Sequence, residues 1–332
     1  MSWEAARASP VSIEDRMYQE QNDPNDVTWD EHQKYVSFVG SQINSVLGQI
    51  PTTPLWHYTT GHSVINIVRE ASLWSTQLAC VNDRSELMYA TRKLQNALED
   101  YVKSHTLSSD EKYLYDRIQE RIGDDIAASY WFVACLSAVG DDLSQWRGYA
   151  GGEAGFALGF NALKLFQLRS RNIFLLQVNY NTEDHDRIAL AVASATFEFF
   201  KQGQSVKGRD LEKWAANFLT HWGITIGYLG PLVKDPGFAP EREWRLVRQL
   251  AEPDRANLKY TQRRTLLARH LPLDLTTPNP AGKGILPLDE VMVAPGYNNR
   301  VSQVSVGDML AQCGYPPETI RVTRSAVPYQ SA

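Results

Sequence analysis

Two carboxylates two residues apart, Glu241 and Glu243, lead into a run of strand-forming residues, Glu-Trp-Arg-Leu-Val-Arg-Gln-Leu, at 243–250. The two-residue period of a strand puts Glu241, Glu243 and Arg245 on one side, with Arg242 and Trp244 on the other. Like charges this close repel unless a cation or a ligand answers them. Paired carboxylates suit acid–base work or stabilisation of a cationic centre; the plainer reading is an edge strand with a Glu–Arg pair on its solvated face. Three other segments gather residues of the same character. His57 stands in a short apolar strand start, Trp56-His57-Tyr58-Thr59, where a core histidine satisfied by backbone is the plainer account. Asn82-Asp83-Arg84-Ser85-Glu86 has the spacing of an N-cap and its capping-box partner, which accounts for Asp83 and Glu86 without any chemistry. Ser137 precedes Asp142, Gln145, Trp146, Arg147 and Tyr149, a turn whose two aromatic residues packing alone would explain.

Several chemistries are struck out. No GxxxxGK[ST], HExxH, GxSxG or EF-hand loop is present. The glycines at 151, 152, 155 and 159 precede a strand, the wrong context for a dinucleotide fingerprint. His57 and His62 form the only close histidine pair, poorly placed for a metal, so no metal is expected. The three cysteines, Cys80, Cys135 and Cys313, are odd in number and far apart, which speaks against a disulfide scaffold. With 33 basic and 38 acidic residues the net charge is −5, so a nucleic-acid partner would need a local basic groove, for which Arg242, Arg245, Arg263 and Arg264 are available. The start is acidic and without an apolar segment, and the apolar run Tyr130–Val139 is too short for a membrane span. A reduced, cytoplasmic protein without membrane contact is expected.

The elements that must position these residues follow from periodicity. From Thr28, Tyr35, Phe38, Val39, Ile43, Val46 and Leu47 recur at helical spacing until Pro51 and Pro54, so residues 1–50 read as a helical extension docked on a body at 51–332. In that body, strands are predicted at 54–60, 72–77, 130–139, 156–160, 172–180, 243–250, 258–262, 290–295 and 319–326. Helices are predicted after Ser63, after Asp83, at about 109–128, in an insertion at about 183–228, and at about 306–313. Helices early and strands late predict an α+β protein with a mixed or antiparallel split sheet and flanking helices.

Taken together, the motifs carry a resemblance. Leu55-Trp56-His57-Tyr58-Thr59, a short helix, then Leu73-Trp74-Ser75-Thr76, resemble the opening strand, helix and strand of the ADP-ribosyltransferase fold. The branch in question, with the diphtheria toxin and poly(ADP-ribose) polymerase groups, uses a His, a Tyr and a Glu. The marks WHYTT, VNDRSE, CLS, QWRGYA, GFAPEREWRLV and SAVPYQ also resemble a large bacterial family known only as a domain of unknown function, over about Leu55 to Tyr329.

The transferase resemblance implies NAD as the substrate, with no metal. Nicotinamide departs neutral from an anomeric carbon, and the oxocarbenium-like ribose left behind needs a carboxylate against it. Glu243 takes that role in this reading, with Glu241 orienting or activating an acceptor. His57 would donate to a hydroxyl of the adenosine-side ribose beside Tyr58, with help from Thr59. Trp146 or Tyr149 would stack on nicotinamide, Arg84 or Arg147 would answer the pyrophosphate, and Ser137 would make a hydroxyl contact. The activity implied is ADP-ribose transfer to a protein or nucleic acid, or NAD hydrolysis, as in a toxin or an anti-phage defence protein. The N-terminal arm is then a place for a regulatory partner. The alternative is a non-catalytic module of this fold that binds a nucleotide or a protein.

Overall fold

The computed structural model describes residues 23–328 apart from 47, 49, 82–83, 123–130, 150–153, 228, 264, 297 and 317. Nine α-helices of six residues or more can be followed among the described residues: α1 (Trp29–Asn44), α2 (Gly61–Glu70), α3 (Arg84–Ser104), α4 (Ser109–Arg121), α5 (Leu143–Tyr149), α6 (Ala162–Gln167), α7 (Thr182–Gln204), α8 (Leu211–Ile226) and α9 (Asn299–Gln312). The strands are β1 (Leu55–Thr60), β2 (Ser72–Gln77), β3 (Trp131–Ser137), β4 (Gly155–Phe160), β5 (Phe174–Gln177), β6 (Glu243–Gln249), β7 (Lys259–Gln262), β8 (Leu267–Asp274), β9 (Thr277–Pro278), β10 (Gly284–Ile285), β11 (Leu288–Val293) and β12 (Arg321–Arg324). The protein is α+β, with a mixed sheet and flanking helices: β11 and β12 run parallel, and the other ladders of the main sheet are antiparallel.

The sheet branches at β3. Along one edge β3 pairs with β6 through its whole length, from Trp131↔Gln249 to Ser137↔Glu243. Its other edge is shared: β2 takes Phe132 and Val133, and β1 takes Ser137 alone. One arm of the fork continues from β1 through β4 and β11 to β12, and the other from β2 through β8 to β7. The three residues between, Ala134 to Leu136, meet no strand on that edge among the described residues, so the carbonyls there need other donors.

Alternation along the strands sorts the core. Leu55, Ala134, Leu136, Trp244 and Leu246 turn to the face covered by α2, α6 and α9, where Val64, Ile67, Val68, Leu165, Val306 and Leu310 meet them. Val133, Trp131 and Val247 face the other way. A separate helical core joins α1, α3, α4, α7 and α8 through residues such as Val39, Leu98, Ile118, Phe197 and Trp222. The α1 helix opens with a capping box between Thr28 and Glu31 and buries Tyr35, Val39 and Ile43 against α7 and α8. Helices α7 and α8 cover 182–204 and 211–226, in the region of about 183–228 read from periodicity as a helical insertion.

Two elements differ from the sequence reading. Residues 143–149 form a helix rather than a polar turn, because the Asp142 carboxylate accepts the Ser144 and Gln145 N–H groups and so starts it. Strand β8 was hidden by Pro272, which has no N–H to donate. Pro272 is tolerated because β7 reaches only from Leu267 to His270, leaving that edge of Pro272 without a strand. The expected N-cap at Asp83, with Asn82, the end of the helix expected to reach 128, Gly151, Gly152, Arg264 and Tyr329 lie outside the described residues.

Candidate functional site

At the start of β6 four charged side chains form one cluster. Glu243 is buried, and Arg245 grips it with two bonds, Nε to Oε1 at 2.8 Å and Nη2 to Oε2 at 3.0 Å. Lys234 donates to Glu243 Oε2 at 2.9 Å and to Glu241 Oε2 at 2.7 Å, bridging the two carboxylates while its ammonium lies 4.8 Å from the Phe238 ring centroid. Arg245 also reaches the carbonyls of Gly230 and Pro231, at 3.4 and 3.3 Å. Two carboxylates and two cations cancel, which is how a charged group is kept at such depth. Burial pushes the Glu243 carboxyl up, but Arg245, Lys234 and the Cys135 thiol outweigh it and hold the pKa at about 2. Glu243 is therefore an anion throughout the physiological range.

The segment before β6 explains how Glu241 joins the cluster. Glu241 ends a 3-10 turn, Pro236–Glu241, rather than starting the strand, and Arg242 between the carboxylates is in the left-handed region at φ 45°. Among the described residues Glu241 Oε1 accepts no hydrogen bond, and the side chain is 34% exposed against 6% for Glu243. Glu241 is the carboxylate that meets solvent. The Ser137 hydroxyl donates to the Glu241 carbonyl at 2.9 Å and accepts the Val139 N–H at 3.1 Å, so this buried serine pins the turn.

Tyrosines border the cluster. The Glu243 N–H donates to the Tyr180 hydroxyl at 3.1 Å. Burial first, and then the negative charges of Glu243 and Glu241, push the Tyr180 phenol up to about 12, against that bond and Lys234. Tyr149, at the end of α5 and 44% exposed, is also shifted upward, by burial and by the nearby Cys135, Glu243 and Glu241, with Lys234 opposing. Its phenol feels the charges of the cluster, and the residue is partly solvent-exposed.

The remaining expected contacts are distributed differently. Trp56, Ser137 and Glu243 are in register across β1, β3 and β6 and share one face, so His57, one residue on, belongs to the alternate side. Its Nδ1 donates to the Cys135 carbonyl at 3.0 Å, where β1 and β2 part in the fork of the sheet. Burial lowers the His57 pKa, so the ring is neutral. Since a carbonyl only accepts, Nδ1 carries the hydrogen and Nε2 is left as an acceptor. A ribose hydroxyl would thus donate to His57, the reverse of the polarity expected from the resemblance.

The Tyr58 hydroxyl donates to the Val139 carbonyl at 2.8 Å and accepts the Asp142 N–H at 3.2 Å. Trp146 is buried, its indole donates to Asp141 at 2.7 Å, and its ring meets Tyr58 edge-on. Both shape the loop before α5, and neither offers a face for stacking. Asp141 also receives the Ser325 hydroxyl and the Ala326 N–H, tying the chain end to this loop. Thr59 stands on β1 opposite Phe156, Arg147 is exposed on α5, and the Arg84 side chain lies outside the described part. Of the arginines anticipated for a basic groove, Arg245 is removed, being buried on Glu243, while Arg263 donates to the Cys80 carbonyl at 2.5 Å and Arg242 is exposed.

Trp56 lies in a slot made by two glycines. A methyl group on Gly140 would come within 2.4 Å of the indole, and one on Gly159 within 3.1 Å. Gly140→Ala is therefore expected to cost about 1–3 kcal/mol, read as a lower urea midpoint at unchanged slope. An unchanged midpoint would show that the 138–142 loop moves aside freely.

Lys234 and Tyr180 were not picked out from sequence. The signal for Lys234 was present, since two carboxylates on one side require a cation, but nothing linear points to a lysine seven residues before Glu241. A family model described as a protein of unknown function (DUF2971) matches residues 145–246, about a third of the chain. The match runs from α5 into β6 and spans Tyr149, Tyr180, Lys234, Glu241, Glu243 and Arg245. No curated protein and no solved structure matches. No helix among the described residues is long and apolar enough to cross a membrane.

Proposed function

We propose that this protein cleaves the nicotinamide–ribose bond of NAD, passing ADP-ribose to a macromolecule or to water. The observation that supports this most is the solvent-facing Glu241 carboxylate, held by Lys234 beside Glu243, which is ionised throughout the physiological range, and near the partly exposed Tyr149. The leaving group needs no proton, so the demand on the protein is a fixed negative charge against an oxocarbenium-like ribose. Both Glu243 oxygens are occupied by cations. The roles therefore divide: Glu241 is the catalytic residue that touches the ribose, and Glu243 positions it through Lys234. Tyr149 stacks on the nicotinamide ring. An effector role as a toxin or defence protein would follow from NAD consumption.

A specific observation favours a second reading. The cluster is neutral and complete without a ligand, as expected of a transferase-like module that binds a nucleotide or a protein partner and performs no chemistry. Chromatography of purified protein incubated with NAD separates the two. Free nicotinamide is expected from wild type, reduced by about 10²-fold or more in Glu241→Gln, with the circular dichroism of the variant unchanged. Wild type that releases none, with or without cell lysate as acceptor, removes the enzyme and leaves the binding module.

A further inference from the structure

Arg242 occupies a conformation that suits glycine, not arginine. At φ 45° and ψ 50° it is in the left-handed basin, where any Cβ crowds the neighbouring carbonyl. The other non-glycine residues with positive φ among the described residues are Asn172, of a type that tolerates the region, and the small Ala71 at a helix end. The left-handed step has two consequences. It ends the 3-10 turn, with the Arg242 N–H on the Ala239 carbonyl, and it brings Glu241 round so that one lysine meets both carboxylates. It also leaves the Arg242 side chain exposed.

The mounting of that side chain is rigid. The Arg242 carbonyl accepts the Ala138 N–H at 3.0 Å, fixing the backbone to the end of β3. Among the described residues its guanidinium makes no hydrogen bond or ion pair. Its charge acts on Asp142: burial would raise that carboxyl, and hydrogen bonds from Ser144 and Gln145, with the Arg242 charge, hold it below the ordinary range. Lys234 and Arg245 are cancelled by Glu241 and Glu243, whereas Arg242, set in the chain between the two carboxylates, is exposed and makes no ion pair among the described residues. Strain of this kind at a solvent-facing site is where a functional side chain is to be sought.

We propose that Arg242 binds the diphosphate of the nucleotide substrate, a role assigned from sequence to Arg84 or Arg147. The inference rests on the reading of this face as a nucleotide site and names the group recognised there. A planar guanidinium fork matches two phosphate oxygens in a way a lysine does not, and a backbone fixed on both sides sets the point from which the side chain reaches.

Calorimetry with ADP, ADP-ribose and adenosine as probes tests this on wild type, Arg242→Gly and Arg242→Lys. Arg242→Gly is expected to lose about ten- to a hundredfold in affinity for ADP and ADP-ribose. It should keep the adenosine affinity of wild type and melt at the same temperature or higher, because glycine relaxes the turn. Arg242→Lys should fall between the two. Unchanged ADP affinity in Arg242→Gly overturns the proposal, as does a wild type that binds neither ADP nor ADP-ribose. A fall of several degrees in the glycine variant also overturns it, since the side chain would then be structural. The catalytic reading fails separately: if wild type leaves NAD intact yet binds ADP through Arg242, the diphosphate site stands and the chemistry does not. If NAD is cleaved and Arg242→Gly leaves KM unaltered, the reverse holds.

Discussion

Lys234→Met is expected to destabilise the protein by about 3 kcal/mol, the scale for removing one partner from a buried ion pair. The lysine side chain is 5% exposed, and methionine fills nearly the same volume, so the change isolates the charge. Without the ammonium, Arg245 is the remaining cation among the described residues that pairs with the two carboxylates, and it is already committed to Glu243 and two carbonyls. Equilibrium urea unfolding reads the loss directly. Adding Glu241→Gln to the methionine variant removes one of the two repelling charges and should recover part of it, which a loss due to packing would not do. The acid limb carries a second signature. Because Glu243 titrates at about 2 in the folded protein, its contribution is complete above the ordinary carboxylate pKa of 4.5 and is lost as pH falls toward 2. Removing Lys234 raises that folded pKa, so the window narrows and less stability remains to be lost to acid. A variant as stable as wild type at neutral pH, with the same acid limb, would show that the lysine contributes nothing to holding the two carboxylates.

The same cluster shows how far residue order reaches. The repulsion of Glu241 and Glu243 is visible from their spacing, and so is the pairing of Glu243 with Arg245 on one strand face. The position of Glu241 is not: a strict two-residue period carries it into the strand, whereas the left-handed Arg242 turns it aside. Strand alternation also bears on His57. Its place in an apolar start is plain, but whether its ring meets a ligand or the backbone depends on the fork at β3, a product of which strands pair. Long, strongly patterned elements such as α1, α7 and β3 are legible because burial imposes their period. Short ones are not. Helix α5 has seven residues and rests on one cap, and β8 shows its register only when β2 lies beside it. The lysine that completes the site is likewise distant in the chain and adjacent only after folding.

The N-terminal helix depends on a single side chain to a greater degree than its apolar stripe suggests, and Arg209→Met is expected to release it. Arg209 has a side chain 2% exposed. Its guanidinium donates to both oxygens of Glu31, at 2.8 and 2.9 Å, and to the carbonyls of Pro24, Asp26 and Gly203 at 2.7, 3.2 and 2.7 Å. It also lies 3.8 Å from the Trp214 ring centroid. These bonds gather the chain before α1, the first turn of α1 and the end of α7 around one cation. Methionine keeps the packing of the stem and removes every donor, leaving Glu31 without its cation and three carbonyls without their partner. The toll is about 3–5 kcal/mol, concentrated on the docking of α1. Lysine would restore charge but not the five-donor fork, so Arg209→Lys should recover only a minor part. Acid should act in the same direction. Burial would raise the Glu31 carboxyl, yet Arg209 and Thr28 hold it below the ordinary range, so the clamp is complete above pH 4.5 and weakens as pH falls below it. Hydrogen exchange read by mass spectrometry distinguishes release of the arm from global loss. Amides of residues 29–44 should lose protection in Arg209→Met while those of β3 and β6 keep theirs, because the sheet core shares no side chain with the clamp. Equal loss in both regions would mean that arm and sheet unfold as one unit, and unaltered exchange in α1 would mean that Tyr35, Val39 and Ile43 dock it unaided.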